Sequence, residues 1–589
     1  MRRIDRREFL SKLSGSIAIS AIPFAPARNA LALKQDACWL SVCAPLVIED
    51  ASLGLHTDII LTSASFDGID GHGDPASSTD YEINLYEQSG RPVRLDGAKA
   101  PLRVNVPAMR TTLIGCGDLV GRDRPFCGGL RVRMRAKGRR PAYVSDLFSA
   151  AYVRWNYQGS FDTLHAHPDP VQLQQAETFY SSMPFPSLEE FSCTLSVFNP
   201  YEAVSEGRII VYSQDGGKRI EQPYRLAPFE SSLLSLNLDA KPGAASGISK
   251  YIVCSRPEIK RGGSITIENS AGSVKNFAYL MIKGKAGNAF SAEHTIHQGS
   301  YAPRRAASPF GPGGAFKAGG WVYSSFIFNR SEMAGLSLSS RVYLSSGRPL
   351  EDELWMLGYV TDALGQIAWS TRLDEELKTR LQKGLLDQGA IRMLPFQSCG
   401  LDFERLAIDA GFAGGLGLAV SSPTSHVLNK IEVRVNNWGT SAFSHFRPGS
   451  RGARELQSIK TRGGLATDYI VTDARLRSSA GGVENDCLVA LFNIEEDRTG
   501  NPVIEVFGGE GFIARRGLGR LPKVACRYFL LSQLFPQLVE RGHGPFTLRL
   551  IDETAVVTLS ALHIDYKKRD VAIDHGSDRF STHIDFGCK

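Results

Sequence analysis

GGLRVRM, residues 128–134, sets alternating apolar and basic side chains behind a pair of glycines. That is the pattern of a β-strand with one face turned inward, entered through a turn. The pattern returns as GGSITIE from Gly262, GGLGLAV from Gly414 and GPFTLRL from Gly544. Around each copy lie further repeated features. Runs ending in Phe-Asn occur at Cys193–Asn199, Tyr323–Asn329 and Cys487–Asn493, with a weaker counterpart at Phe66-Asp67. An aromatic residue stands four positions before a turn glycine at Tyr86/Gly90, Tyr212/Gly216, Tyr343/Gly347 and Phe507/Gly511. An apolar residue precedes or joins a proline at Val106-Pro107, Ala227-Pro228, Leu394-Pro395 and Leu521-Pro522. Each copy closes on a phenylalanine with histidine nearby, at Phe161, Phe290, Phe443 and Phe580. The same order four times marks an internal duplication with a period of about 130 residues, longer than a solenoid unit.

Period-2 runs such as YEINLY, RIIVY and KIEVRV, broken by Gly, Pro, Asn and Asp, make each unit a β-sandwich. The expected fold is all-β: four tandem β-sandwich repeats, each with its own core, and a short helical insertion in the third. The units resemble immunoglobulin or fibronectin sandwiches in pattern, without the Cys…Trp…Cys signature, and the resemblance implies architecture and no activity. Pro- and Gly-rich connectors place the units at 33–170, 171–303, 304–449 and 450–589. The insertion, near 373–388, carries Leu373, Leu377, Leu381 and Leu385 at helical spacing behind Asp374, Glu375 and Glu376. It reads as a lid on its own sandwich.

Residues 1–32 form a separate segment. Arg6-Arg7, one residue before Phe9-Leu10 and with Lys12 behind, resembles the twin-arginine export signal of bacteria. A weakly apolar stretch and Ala30-Leu31-Ala32 follow. The resemblance implies carriage of a folded protein by the twin-arginine translocase to the periplasm or cell surface. The segment takes six basic and two acidic residues out of a chain of net charge +6, so the body is nearly neutral. That balance gives no reason to expect a nucleic-acid partner, and no later stretch is apolar for the roughly 20 residues a membrane span needs. Ten cysteines without C-x-x-C leave disulfides open, Cys38/Cys43 and Cys116/Cys127 being the close pairs, and exclude a zinc ribbon.

Gly509, Gly511 and Ala514 spell G-x-G-x-x-A, but Gly511 stands in the phase of the hairpin glycines and Arg515 to Gly519 is no helix start. It reads as a turn. The Phe-Asn pairs read as a core residue followed by a turn-forming amide. His165, His167 and Asp169 are the candidate metal ligands, because His-x-His in a strand puts both rings on one face. His294 with His297, and Asp574, His575, Asp578, His583 and Asp585, are further candidates; units lying end to end would keep them apart. No catalytic residue or cofactor loop is read. The expected function is a non-enzymatic exported protein binding a protein or glycan at the cell envelope, for adhesion or assembly. The alternative is a metal-dependent periplasmic enzyme or accessory subunit of a redox complex. Glycan recognition on Trp155 or Trp438 is a third idea.

Overall fold

The computed structural model describes residues 40–63, 78–94, 101–136, 151–168, 179–236, 248–299, 321–346, 353–421, 427–450 and 465–578, apart from 122–123, 158, 218, 252–256, 271, 287–288, 373, 375, 378–380, 382–384, 480–481 and 542–543. The export-signal residues Arg6, Arg7, Phe9 and Leu10 lie outside the described residues, as do Asp169, Phe580, His583 and Asp585.

Among the described residues the strands form eight sheets, two for each repeat. In the first repeat one sheet orders Leu102–Val106, Thr79–Glu87, Phe126–Ala136, Leu40–Glu49 and His167–Pro168. The other orders Thr111–Gly115, Leu55–Thr62, Ala151–Tyr157 and Ser160–His165. The same scheme recurs. The glycine-led strands Phe126–Ala136, Gly263–Asn269, Phe412–Val420 and Phe546–Asp552 each pair antiparallel with their repeat's opening strand. Almost all neighbours are antiparallel; Ser231–Ser235 with Ile248–Tyr251 is a parallel pair. The fold is a tandem array of β-sandwich units.

Two landmarks need correction in the third repeat. Asn329 ends the opening strand Trp321–Asn329, whereas Asn199 and Asn493 follow strands of the second sheet. Backbone bonds identify the true counterparts. Ser63, Asn199, Ser346 and Asn493 each donate a backbone N–H to the equivalent turn, at Arg110, Glu230, Gln397 and Ala525. The Asn amides donate to carbonyls of that turn, Asn199 to Ala227 at 2.9 Å and Asn493 to Pro522 at 3.0 Å. Their own Oδ1 accepts the N–H two residues on. Ser346 does the same work with its hydroxyl, donating to Leu394. Tyr343 likewise belongs to the second sheet, and the residue matching Tyr86 and Tyr212 is Thr361, four before Gly365. Phe-Asn was a chance match there, because a run of three sequence letters does not fix a strand's place in a sheet.

The units are not separate beads. Each of the first three cores continues into the next unit: Tyr279 and Phe290 complete the first, Tyr343 and Phe443 the second, Leu488 and Leu562 the third. Each hairpin docks on the next unit's turn, a four-residue turn closed by an i to i+3 hydrogen bond with its third residue at positive φ (Met109, Phe229, Phe396, Val524). Tyr86 stacks on Phe229 with ring centres 4.5 Å apart, and Tyr212 on Phe396 at 4.2 Å. Thr361 donates to the Val524 carbonyl. Phe507 packs with Met109, which brings the fourth unit back to the first. A Cβ on Gly90 would fall 2.3 Å from the Pro228 oxygen, so this hairpin tip must be glycine. Four head-to-tail contacts thus close a ring.

The glycine pairs have a related role. A Cβ on Gly129 would meet Phe198 of the second unit at 2.5 Å, and one on Gly415 would meet Phe492 of the fourth at 2.8 Å. At the matching places of the other two junctions stand Ser264 with Ser345, and Thr547 with Thr62. Large meets absent, and small meets small. Phe198 therefore packs with Cys43 and Tyr86 across the junction, beside Phe277 of its own sheet, where sequence reading put it in its own sandwich core.

Of the insertion near 373–388, Leu377, Leu381 and Leu385 are buried in the third core. Asp374 accepts the Leu377 N–H and the Trp369 indole, and Leu381 N–H reaches the Leu377 carbonyl. The packing is that of a lid on its own unit. Gly509–Gly511 is a turn, flanked by the paired strands Val503–Gly508 and Gly511–Gly517. Cys116, Cys127, Cys399, Cys487 and Cys526 are free thiols, so Cys116 and Cys127 are not joined. Burial pushes the Cys127, Cys399 and Cys526 thiols up to about 12, which makes them packing residues.

Phe198→Ala and Phe492→Ala should each lower unfolding free energy by about 3–5 kcal/mol. Gly129→Val and Gly415→Val should also destabilise, through clash with the same rings. Denaturant titration of the four variants checks this, and a near-zero change in both phenylalanine variants would remove the junction argument.

Candidate functional site

The closing strand of each unit's second sheet runs into the middle of the ring. Ser160–His165, Phe290–His294, Thr440–Ser444 and Asp570–His575 lie against one another in cyclic order, the last against the first. Every residue of the four is buried. A strand covered on both faces cannot leave its polar side chains to water, so they bond across the ring. Asp162 accepts the Ala292 N–H at 2.6 Å and the Ser291 hydroxyl at 3.0 Å. Ser291 Oγ accepts the Phe443 N–H in turn, at 3.3 Å. Asp570 accepts the Thr440 hydroxyl at 2.7 Å and the Phe161 N–H at 2.8 Å, tying the third, fourth and first strands.

At the inner ends of these strands stand four histidines, one from each unit: His165, His294, His445 and His575. They occupy the same register: His165, His294 and His575 stand opposite Tyr152, Tyr279 and Ser560, and His445 directly follows Ser444, which stands opposite Ile431. Neighbouring ring centres are 4.8, 4.4, 3.9 and 5.2 Å apart around the circle, and His294 lies 6.1 Å from His575. None is more than 6 % exposed. Ring nitrogens of His165, His294 and His575 all lie within 4.8 Å of one another. Nδ1 of His165 meets the Ala166 carbonyl at 3.3 Å, and Nδ1 of His294 meets the Thr295 carbonyl at 3.0 Å. A carbonyl oxygen only accepts, so both Nδ1 atoms carry the proton and a neutral ring presents its lone pair at Nε2. Nδ1 of His445 is 2.9 Å from Glu293 Oε2, which also lies 3.6 Å from Lys430 Nζ.

Burial dominates the electrostatics here. It pushes the Asp162 carboxyl well above its ordinary range and Asp570 up to about 7, against the lowering by their hydrogen bonds. It lowers the Lys430 ammonium, which Glu293 opposes. A second buried group lies where the fourth unit meets the first: Asp473 with Arg154 at 2.7 Å and Arg475 at 2.7 Å. Burial works to raise Asp473, and the two guanidiniums overcome it and hold the carboxyl at about 2. His563, beside this group, is lowered by burial to about 4.

Of the sequence-stated candidates, His165, His294 and His575 meet at the centre. His167 sits in His167–Pro168, whose backbone pairs with Val42–Cys43 of the other sheet. Sequence reading missed His445 as a partner, and the aligning landmark was the histidine, not the phenylalanine: Phe precedes His by four at 161/165 and 290/294 but by two at 443/445. Units lying end to end would have kept the rings apart; closure brings them together. Trp155, 2 % exposed and donating to the Leu46 carbonyl, is a core residue, and Trp438 packs edge-on against Tyr566.

No protein-family model matches the chain, and no curated protein does. A solved structure described as a biofilm associated protein, BSP domain, aligns over 93% of this chain and 97% of its own, at 9% identity and a TM-score of 0.13. Among the described residues no helix is long and apolar enough to cross a membrane.

Asp570 supplies a pH test. Below about pH 4 its carboxyl is neutral in both states; above that it ionises in the unfolded chain first. Stability should therefore fall as pH rises from about 4 to about 7, and level off beyond. Asp570→Asn, whose amide can copy the protonated acid toward Thr440 and Phe161, should flatten that slope. Unfolding curves at several pH values measure it, and an unchanged slope in the variant would assign it to other groups.

Proposed function

We propose that this chain is an exported protein of the bacterial cell envelope, periplasmic or at the cell surface, that works by binding or assembly and not by catalysis. Its partner is a protein or a glycan, and the twin-arginine translocase is its carrier. The supporting observation is the use made of polar residues. The buried carboxyl groups of Asp162, Glu293, Asp473 and Asp570 each bond across a junction between units. What faces outward recurs: in edge strands Leu102–Val106 and Arg219–Leu226 exposed positions alternate with more covered ones, and in Gly511–Gly517 the last three residues are exposed together. Arg103, Arg219, Arg225, Arg515 and Arg516 project there, a set of similar surfaces on one rigid body that suits multivalent contact. The metal-dependent alternative keeps one observation in its favour, the central histidines.

Two experiments test the reading. Arg6→Lys with Arg7→Lys should leave the precursor in the cytoplasm on cell fractionation; normal export of this variant would defeat the proposed route. The exported protein should sediment with envelope fragments of its host. Reversing the edge charges, Arg219→Glu with Arg225→Glu and Arg515→Glu with Arg516→Glu, should release it to the soluble fraction. A wild-type protein already soluble would count against envelope binding.

A further inference from the structure

We infer that the four central histidines form a binding site for one divalent transition-metal ion of the zinc class, held on the ring's centre by one ligand from each unit. The inference does not depend on the binding reading or on where the protein works.

The first ground is repetition. The flanking residues differ in all four units: Leu164, Glu293, Ser444 and Asp574 come before, and Ala166, Thr295, Phe446 and Gly576 after. Histidine alone stays the same. Packing by itself would accept side chains of varied size without a ring nitrogen, as it has two residues earlier, where Thr163, Ala292, Phe443 and Ile573 stand. Four imidazoles kept where size and polarity otherwise vary point to a role that needs nitrogen.

The second ground is geometry. Three points 4.8 Å apart at most share a centre no more than about 2.8 Å from each, against the roughly 2.0–2.1 Å of a zinc–nitrogen bond. Each ring then needs to move by about 0.7 Å, within the reach of a χ rotation. Two of these rings hold Nδ1–H on a backbone carbonyl, the outer-shell arrangement that fixes a histidine for coordination through Nε2. His445 has the other common arrangement, Nδ1 on the Glu293 carboxylate, with its ring 3.9 Å from that of His575 and 4.4 Å from that of His294. It supplies the fourth ligand. All-nitrogen donors of neutral imidazole suit zinc, nickel, cobalt or copper and not magnesium or calcium. With four protein ligands and every ring buried, the ion has no open position and serves the ring's structure. Because the rings come from four units, the ion joins the ring's two chain ends through the fold, and loading accompanies folding.

The test uses the full chain expressed with zinc, and separately with cobalt, followed by dialysis against a chelator and elemental analysis. About one ion per chain is expected, with the intense visible absorption of tetrahedral cobalt in the second preparation. His165→Gln with His575→Gln should remove the ion, and His56→Ala, an exposed histidine of the first unit, should not. Folded protein with less than about a tenth of an equivalent from both media overturns the inference, as does a double variant that keeps its metal. Should the double variant fail to fold, X-ray absorption of the cobalt-loaded wild type decides: four nitrogen neighbours with imidazole scattering support the site, and sulfur or mainly oxygen neighbours overturn it.

Discussion

Everything in this molecule depends on four strands that are buried on both faces. Each closing strand stays paired in its own unit's second sheet and packs at the centre against the closing strands of two neighbours, so its side chains are shut off from solvent. Asp162, Ser291, Thr440 and Asp570 therefore bond to the backbone or hydroxyl of the next strand. Such bonds are each worth little net, but leaving one partner buried and unpaired costs about 1–3 kcal/mol, so the four strands hold one arrangement against others. Asp570 shows what that costs: burial outweighs its hydrogen bonds and pushes its carboxyl up to about 7.

Ring closure follows from matched junctions. Tyr86 on Phe229 and Tyr212 on Phe396 set the hairpins against positive-φ turn residues, whose unusual backbone is over-determined by that stacking. Phe198 over Gly129 and Phe492 over Gly415 fill space that the glycines leave. The fourth junction, which must join the two ends of the chain without a covalent link, has the buried Arg154–Asp473 pair and a Thr111–Thr547 hydroxyl contact instead. A buried pair of this kind gives little net stability but penalises any register that separates its charges. A unit cut from the ring would expose part of its core, since Tyr279, Tyr343 and Leu562 belong to their neighbours' interiors.

Closure also makes a site that no unit has alone. A single histidine at the end of a strand is a polar terminus; four of them, each ring within 5.2 Å of its two neighbours, are a donor set. The same geometry turns equivalent positions of a duplicated sequence into neighbours, so a residue fixed in one copy is opposed by itself in the next. His-x-His in one strand pointed to His167, but a strand so short, paired on the other sheet, is not where the convergence lies.

The amino-acid sequence by itself determined the β class and the fourfold repeat, because strand periodicity and turn glycines such as Gly90 and Gly216 act locally and show in the letters. It also determined that Gly509–Gly511 turns a hairpin, and that Leu377, Leu381 and Leu385 cover a core. Tertiary structure alone decided that the third unit uses Ser346 where the second and fourth use Asn199 and Asn493, and Thr361 where all three siblings use an aromatic residue, since hydrogen-bond register is a property of paired strands. It alone decided that the units share cores and close on one another, because the match of Phe198 to Gly129 or of Arg154 to Asp473 spans distances in the chain that no periodicity records. His165, His294, His445 and His575 were legible as residues; only the ring made them one site.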